Sequence, residues 1–190
     1  MLMHQTMDFK LTPFPTLQTE RLLLRQIKND DVNEIFILRS HPDVMQYISR
    51  PIASNLEDAL NWIAVVEDLL INNNGITWAM TLKGENKMFG TVGLWRFEKE
   101  HFRAEIGYAM LPEYNGKGYM TEAIQAVLKY GFETLGVHSV FGCSSPENKK
   151  SIATLVRNNF VREAYFKENF FWQGKFLDSV VYTILAPQSK

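Results

Sequence analysis

The segment Pro112-Glu-Tyr-Asn-Gly-Lys-Gly-Tyr-Met-Thr-Glu-Ala123, written PEYNGKGYMTEA, decides the fold because it joins a predicted strand to a predicted helix through a glycine turn. Residues 105–110 alternate as a strand does, and Ile124, Val127 and Leu128 recur at helical spacing. A glycine turn at a helix N-terminus is an anion site, because the first N–H groups of a helix have no partner within it. A tight turn without any ligand also explains two glycines at this spacing.

The residues around the glycines argue against two kinds of nucleotide-binding loop. A Walker loop needs Ser or Thr directly after its lysine, whereas Lys117 is followed by Gly118. A dinucleotide-binding turn needs a third glycine, and Met120 stands in its place. Gly116 and Gly118 still let a phosphate group approach the backbone, with the Lys117 cation at the rim.

The composition of the 190 residues, 46% hydrophobic and 22% charged, is typical of one globular domain with one core. We therefore predict a single domain over residues 1–190, with residues 1–16 as a short leader. A formal net charge of -1 argues against an overall basic field for nucleic acid. No apolar run suits a signal peptide or a membrane span. The lone cysteine, Cys143, excludes an intrachain disulfide and favours a reducing, cytoplasmic location.

The hydrophobic pattern along the chain predicts a mixed α/β order of elements. Strands are predicted over residues 19–25, 76–83, 88–97, 102–110, 137–144, 161–172 and 176–185. Helices are predicted after a cap at Asp30 or Asp31, over residues 41–48, from a capping box at Ser54–Glu57 to about Asn73, from the glycine turn to Leu135 before Gly136, and from Asn148 or Ser151 to Arg157. Asn159 is predicted to take the left-handed conformation after the last helix.

Residues 105–123 resemble the acetyl-CoA-binding core of the GNAT N-acetyltransferase superfamily. Further motifs resemble its branch of ribosomal-protein N-terminal acetyltransferases, RimJ and RimL: TERLLLR at 19–25, NKKS at 148–151, LVRNNF at 155–160, and GKFLD at 174–178 with Tyr182. This resemblance covers about residues 17–186 and implies the GNAT fold, a twisted, mixed, mostly antiparallel sheet with helices on both faces. Three residues depart from the family pattern: Asn115 opens the loop, Met120 replaces a small residue and Asn159 replaces a glycine.

The resemblance also implies where acetyl-CoA binds. Backbone N–H groups from about Gly116 to Met120 would hold the pyrophosphate, and strand 106–110 would contact the pantetheine arm and the acetyl carbonyl. That strand would splay apart from strand 137–144 to admit the cofactor. Met120 either crowds the pyrophosphate or packs into the core. The implied acetyl-CoA-binding residues are Ile106, Tyr108, Ala109, Met110, Asn115, Gly116, Lys117, Gly118, Tyr119, Met120 and Asn148.

Glu105 and Ser151 are the candidate catalytic residues. Acetyl transfer to an amine needs a neutral amine and a hydrogen-bond donor for the departing thiolate. Glu105 would serve as the base, directly or through water, or would only pair with Arg96 or Arg103. Ser151 would meet the thiolate, or would only bond a backbone N–H in the first turn of its helix. Asn148 either caps that helix or contacts the cofactor.

The remaining polar candidates are expected to be structural. His101 falls in a predicted surface turn, and His138 starts a strand. The four histidines and one cysteine show no metal-ligand spacing, so we predict no metal site. Cys143 is predicted to be a small buried hydrophobic residue rather than an acyl-enzyme nucleophile.

The function predicted from these residues is acetyl transfer from acetyl-CoA to a primary amine, by direct attack in a ternary complex. A protein or peptide N-terminal α-amine is preferred, because an α-amine titrates at about 7.7–8.0 and a lysine at about 10.4. The alternatives are a small amine, such as a polyamine or an aminoglycoside, and a non-catalytic acyl-CoA-binding module. The side chains of Glu105, Asn148 and Ser151 favour an enzyme. The sequence indicates neither the identity of the acceptor nor the oligomeric state.

Overall fold

One eight-stranded sheet carries the predicted site, and its strands follow the order β1-β2-β3-β4-β5-β6-β8-β7 in the computed structural model. The structure describes residues 10–187, so residues 1–9 of the predicted leader lie outside the described residues. β6 runs parallel to β5, and the other neighbouring strands are antiparallel. The strands are β1 (Leu17–Gln18), β2 (Leu22–Gln26), β3 (Gly75–Leu82), β4 (Met88–Glu98), β5 (Arg103–Met110), β6 (Ser139–Ser144), β7 (Val161–Trp172) and β8 (Lys175–Leu185).

The helices occupy the two faces of the sheet, as the family resemblance predicts. They are α1 (Val32–Ser40), α2 (Pro42–Met45), α3 (Leu56–Ile71), α4 (Tyr119–Lys129) and α5 (Lys149–Arg157). α1 and α3 bury Ile35, Leu38 and Ile63 in one hydrophobic cluster. α4 and α5 bury Ile124 and Leu155 in a second cluster with the opposite face of the sheet. We call these the α1/α3 face and the α4/α5 face. No helix among residues 10–187 is long and apolar enough to cross a membrane.

One predicted helix start is wrong by one residue, and one predicted cap lacks its side-chain hydrogen bond. α3 begins one residue later than the predicted box, because Asn55 is the cap and accepts a hydrogen bond from the Asp58 N–H at 3.0 Å. Asp58, rather than Glu57, then reaches back to the Ser54 N–H at 2.8 Å. Asp31 precedes α1 but gives it no side-chain cap.

The Asp31 carboxylate is used elsewhere. It is buried and accepts hydrogen bonds from the Arg25 guanidinium at 2.7 and 2.8 Å and from the Lys28 N–H at 2.8 Å. These bonds hold the end of β2 against the start of the helical segment. The Asp31 carboxylate oxygens therefore bond the Arg25 guanidinium instead of capping α1.

The helix after the glycine turn differs from the prediction at its end. α4 passes into one π-helical turn, Tyr130–Thr134, in which the Leu135 N–H donates to the Tyr130 carbonyl at 3.1 Å. Gly136 then takes a φ of 71°, which ends the helix as predicted. Asn159 has a φ of 64°, so the predicted left-handed asparagine is confirmed.

The sheet opens between β5 and β6. The two strands pair at Arg103↔Ser139, Ala104↔Val140 and Glu105↔Phe141, and no pairing follows Glu105 within the described residues. β6 continues to pair with β8 as far as Ser144↔Val180. The predicted splay is therefore confirmed, and one edge of β5 beyond Glu105 lacks a strand neighbour.

Candidate active site

The glycine turn is shaped by two left-handed residues. Gly116 has a φ of 76° and Gly118, the N-cap of α4, has a φ of 80°. The first bond of α4 runs from the Glu122 N–H to the Gly118 carbonyl at 3.1 Å. The N–H groups of Tyr119 and Met120 therefore have no carbonyl to bond within the helix. These donors, together with the helix dipole, fit a phosphate group.

An arginine from the first strands braces this turn from behind. The Arg21 side chain donates to the Glu122 carboxylate at 2.7 Å and to the Lys117 carbonyl at 2.9 Å, and it lies over the Tyr119 ring, 4.7 Å from its centroid. Glu122 also accepts from the Arg21 N–H at 2.8 Å and from the Thr19 hydroxyl. This brace was not predicted. It ties the turn and the first turn of α4 to the start of β2.

The other residues of the turn divide between core and rim. Met120 is only 8% exposed and belongs to the core of the α4/α5 face, so it packs inward rather than toward a phosphate. The Lys117 ammonium lies 5.3 Å from the Tyr114 ring centroid, at the exposed rim. Asn115 bonds through its N–H to the Pro112 carbonyl at 3.0 Å and closes the short turn before the glycines.

β5 presents an unpaired edge and two different faces. Ile106 is buried, and Tyr108 and Met110 pack on the same α4/α5 side. Ala109 packs against the cluster of the α1/α3 face. The peptide groups at the open edge can bond an extended arm laid between β5 and β6, in the manner of an added strand.

Tyr108 and Ser151 bring two hydroxyl groups together across this opening. The Tyr108 and Ser151 oxygens are 2.9 Å apart, and the Tyr108 hydroxyl is 3.1 Å from the Ser151 carbonyl. Burial raises the pKa of Tyr108 to about 12, against the lowering effect of the Ser151 hydrogen bond, so the phenol stays protonated at neutral pH. The sequence indicated the Tyr108 backbone only. The alternation of side chains along β5, which directs the Tyr108 side chain toward α5, is the sequence signal that could have predicted this contact.

Asn148 is the N-cap of α5, and its side chain accepts from the Ser151 N–H at 3.1 Å. The capping explanation for Asn148 is thus met. Ser151 donates that bond through its backbone N–H, while its hydroxyl contacts the Tyr108 hydroxyl. The alternative in which the Ser151 hydroxyl only serves a backbone N–H is therefore wrong.

Glu105 is a buried carboxylate on the α1/α3 face. Its side chain is 8% exposed and pairs with Arg96 at 2.9 Å, so the predicted ion pair is present. Burial raises the pKa of Glu105, and Arg96, Arg50 and Arg103 each lower it by a smaller amount. Arg96 reaches the carboxylate from a left-handed position, φ 47°, at an irregularity in the β4–β5 register.

Trp95, Gly107 and Cys143 are neighbours of Glu105 on the α1/α3 face. Trp95 pairs with Glu105 across β4 and β5, and its indole nitrogen would lie 3.2 Å from a Cβ added at Gly107. Gly107 therefore leaves room for the indole. Cys143 shares this face, because it lies two residues along β6 from Phe141, the partner of Glu105.

The prediction that Cys143 is buried is wrong, since the residue is exposed. The sheet opens next to it, which removes the strand that would have covered it. The surrounding protein atoms and the Glu105 carboxylate raise the pKa of its thiol, against a hydrogen bond with Ser179. A thiol with a raised pKa carries little thiolate and makes a poor nucleophile.

The two histidines behave as predicted. His101 lies in the exposed 3-10 turn Lys99–His101. His138 has an exposed side chain, and its backbone bonds the Phe102 carbonyl at 2.7 Å and the Ala186 N–H at 2.8 Å. Within residues 10–187 no group of three or more His, Cys, Asp or Glu side chains could hold a metal ion.

Comparison with known proteins agrees with the geometry. The profile of the family described as Acetyltransferase (GNAT) domain matches residues 21–161. The uncharacterized N-acetyltransferase YoaA of Bacillus subtilis is 31% identical over 175 residues, which cover 92% of this chain and 99% of that protein. A solved GNAT-family acetyltransferase from Bacillus anthracis is 31% identical with a TM-score of 0.81, and the match covers 90% of this chain and 99% of the other.

Several solved structures with this fold contain CoA or acetyl-CoA, and one of them also holds an amine. It is a spermidine N-acetyltransferase from Vibrio cholerae in complex with CoA and spermine. The two chains are 25% identical with a TM-score of 0.75, and the match covers 87% of this chain and 95% of the other.

Proposed function

This chain belongs to the GNAT family of acetyl-CoA-dependent N-acetyltransferases, and we propose that it acetylates the N-terminal α-amine of a protein or peptide. One observation carries the choice of acceptor: the buried carboxylate on the α1/α3 face, Glu105, stands among arginines rather than among other acids. A polyamine brings several cations, and arginines around the reacting amine repel them. A peptide N-terminus brings a single positive charge, which one carboxylate can match.

The basicity of the acceptor supports the same choice. An α-amine titrates at about 7.7–8.0, so a useful fraction is neutral at pH 7, whereas a lysine at about 10.4 is almost wholly protonated. Glu105 accepts the remaining proton, directly or through one water. Its raised pKa brings it closer to the operating pH, where a general base works best.

The glycine turn and β5 serve as the acetyl-CoA site in this proposal. Backbone N–H groups from Gly116 to Met120 hold the pyrophosphate, and the open edge of β5 from Ile106 to Met110 bonds the pantetheine arm. The left-handed glycines and the free first-turn N–H groups of α4 support this assignment. Asn148 supports the site indirectly by fixing the first turn of α5.

The hydroxyl pair Tyr108–Ser151 meets the leaving sulfur. Thiolate departure is helped by a proton or a hydrogen bond, and both hydroxyls are protonated donors at neutral pH. Ser151 is the donor to sulfur in this proposal, and Tyr108 orients its oxygen. A non-catalytic acyl-CoA-binding module would need the glycine turn but neither this pair nor Glu105.

The small-amine alternative rests on the spermidine acetyltransferase of Vibrio cholerae, which shares this fold with 25% identity. An acceptor panel separates the two. Acetyl-CoA is supplied with three acceptors: a peptide with a free N-terminus and no lysine, the same peptide with a blocked N-terminus and one lysine, and spermidine. We expect acetylation of the free N-terminus, read by mass spectrometry. Acetylation of spermidine alone, or of lysine alone, would overturn the proposal.

A further inference from the structure

Two arginines on the α1/α3 side are charged without a carboxylate partner. The five ion pairs found among residues 10–187 involve neither Arg39 nor Arg50. Arg39 is half-buried at the end of α1, where its guanidinium lies over the Trp62 ring, 5.1 Å from the centroid. Desolvated charges are normally paired, because an unpaired one loses hydration without compensation.

Arg50 carries a second charge whose effect reaches both Arg39 and the candidate base. The segment that carries it is tied to α1 by the bond from the Ala53 N–H to the Arg39 carbonyl at 3.2 Å. Burial lowers the pKa of Arg39, and the positive charge of Arg50 lowers it further. The same Arg50 charge lowers the pKa of Glu105, so Arg50 is close to both groups.

Arg39 and Arg50 therefore add positive charge on the α1/α3 side, near Glu105. The Arg39 guanidinium lies over the Trp62 ring, a contact that leaves its N–H groups free to donate. Arg50 is exposed, and its guanidinium donates a hydrogen bond to the carbonyl of the neighbouring Ser49 at 3.1 Å. Arg96 is already occupied by Glu105. Two guanidinium groups with free donors match the two oxygens of a carboxylate.

We propose that Arg39 and Arg50 bind a carboxylate of the acceptor, carried by an acidic residue close to the acetylated N-terminus. The inference rests on the proposed peptide acceptor and narrows it to acidic N-terminal sequences. The negative charge pairs with the half-buried Arg39 and the exposed Arg50, and it places the α-amine beside Glu105. A free amino acid offers a carboxylate of the same chemistry, so the test includes it.

The test uses the whole protein and four acceptors at fixed saturating acetyl-CoA. Two peptides share one lysine-free sequence with Asp or Asn at the second position, a third has Lys there, and free aspartic acid is the fourth. We expect a KM for the Asp peptide about tenfold lower than for the Asn peptide, the size of one charge-assisted hydrogen bond. Arg50→Gln should remove that difference, and Arg50→Glu should invert the preference toward the Lys peptide.

Control variants and control measurements distinguish a failure of the carboxylate site from misfolding and from a failure of the proposed function. Arg157→Glu reverses an exposed charge on α5, on the opposite face, and should leave the Asp/Asn ratio unchanged. The KM for acetyl-CoA should stay constant in every variant. Equal KM values for the Asp and Asn peptides would overturn the carboxylate site while leaving peptide acetylation intact. Acetylation of none of the four acceptors would overturn both the site and the peptide acceptor, whereas Arg50-dependent acetylation of aspartic acid with no peptide acetylated would keep the site and overturn the peptide.

Discussion

The proposed binding sites on the two sides of β5 differ in the groups that they offer to a substrate. On the α4/α5 side, the turn at Gly116 and Gly118 offers backbone N–H groups, and the side chains behind it serve as a brace. On the α1/α3 side, the site is made of charged side chains around Glu105. A backbone site depends on conformation and tolerates many side chains, whereas a side-chain site depends on the identity of each residue. We therefore expect acetyl-CoA binding to be weakened by changes in backbone conformation, and acceptor binding to be weakened by changes in side-chain charge.

The largest effect is expected at Ser151, whose side chain has a proposed catalytic role on the α4/α5 side. Ser151→Ala removes the hydroxyl that we propose donates to the leaving sulfur, and we expect kcat to fall by about 10²-fold or more with acetyl-CoA affinity unchanged. Tyr108→Phe should give a smaller fall, because it only orients Ser151. Steady-state kinetics and calorimetry measure the two quantities. A kcat for Ser151→Ala within about twofold of native would remove the serine from the chemistry.

Gly118→Val tests whether acetyl-CoA recognition depends on conformation. The residue has a φ of 80°, and a Cβ there would lie 3.3 Å from the Arg21 guanidinium. Left-handed strain of about 1–2 kcal/mol and a blocked approach should weaken CoA binding roughly tenfold to hundredfold. Gly174→Val is the matched control, because it has a φ of 78° in the last hairpin and open space around its Cβ. Gly174→Val should lower the stability of the protein and leave its CoA affinity unchanged. Equal CoA affinity in the folded Gly118 variant would move the pyrophosphate site elsewhere.

Glu105→Gln tests the charge-based side through its pH dependence. The variant lacks the base, so we expect kcat for an α-amine acceptor to fall by roughly tenfold at pH 7. Near pH 9 the acceptor deprotonates itself, since its pKa is about 7.7–8.0, and most of the deficit should disappear. Kinetics from pH 6 to pH 9.5 show the convergence. A deficit that stays constant across this range would mean that Glu105 positions the acceptor rather than accepting its proton.

The brace behind the glycine turn gives a smaller effect. Arg21→Lys keeps the charge but loses the fork that bonds Glu122 and Lys117 together. We expect the KM for acetyl-CoA to rise about fivefold, near 1 kcal/mol, with kcat little changed. Lys129→Ala removes an exposed ion pair with Glu133 at the far end of α4 and should change neither value. An unchanged KM in the Arg21 variant would show that the turn holds its shape unaided.

The smallest effect concerns stability. Burial raises the pKa of Glu105 above its ordinary 4.5, so the folded state binds the proton more tightly than the unfolded state does. Stability is then greatest below the ordinary value and falls as the pH rises through the raised pKa. Glu105→Gln removes this loss, so its Tm at pH 7 should equal or exceed that of the native protein, with the gap closing toward pH 4.5. A lower Tm at pH 7 would mean that the Arg96 pair stabilises more than burial costs.

Much of the fold could be predicted because its signals are local. The glycine turn, the helix after it, the left-handed Asn159 and the Asn148 cap each depend on a few adjacent residues. The family resemblance supplied the arrangement of the sheet and the splay of β5 from β6. Element ends differed where a distant charge intervened, as at Asp31, whose oxygens bond Arg25.

The candidate site could be predicted only where its parts are close in sequence. Arg21 and Glu122 are 101 residues apart, and Tyr108 and Ser151 are 43 residues apart, so no local pattern joins them. Cys143 was misjudged because an apolar strand is normally covered, and the opening of the sheet is a tertiary feature. The unpartnered Arg39 is likewise visible only once its neighbours are known.

The backbone character of the glycine turn has a consequence for inhibitors. A compound that mimics a pyrophosphate would bind N–H groups, which point mutations cannot delete unless they introduce proline. Tyr119 is the first residue of α4, the helix position that accepts proline most readily. Tyr119→Pro would remove one donor, but it would also remove the ring beneath Arg21. Resistance at this turn would therefore weaken acetyl-CoA binding together with inhibitor binding.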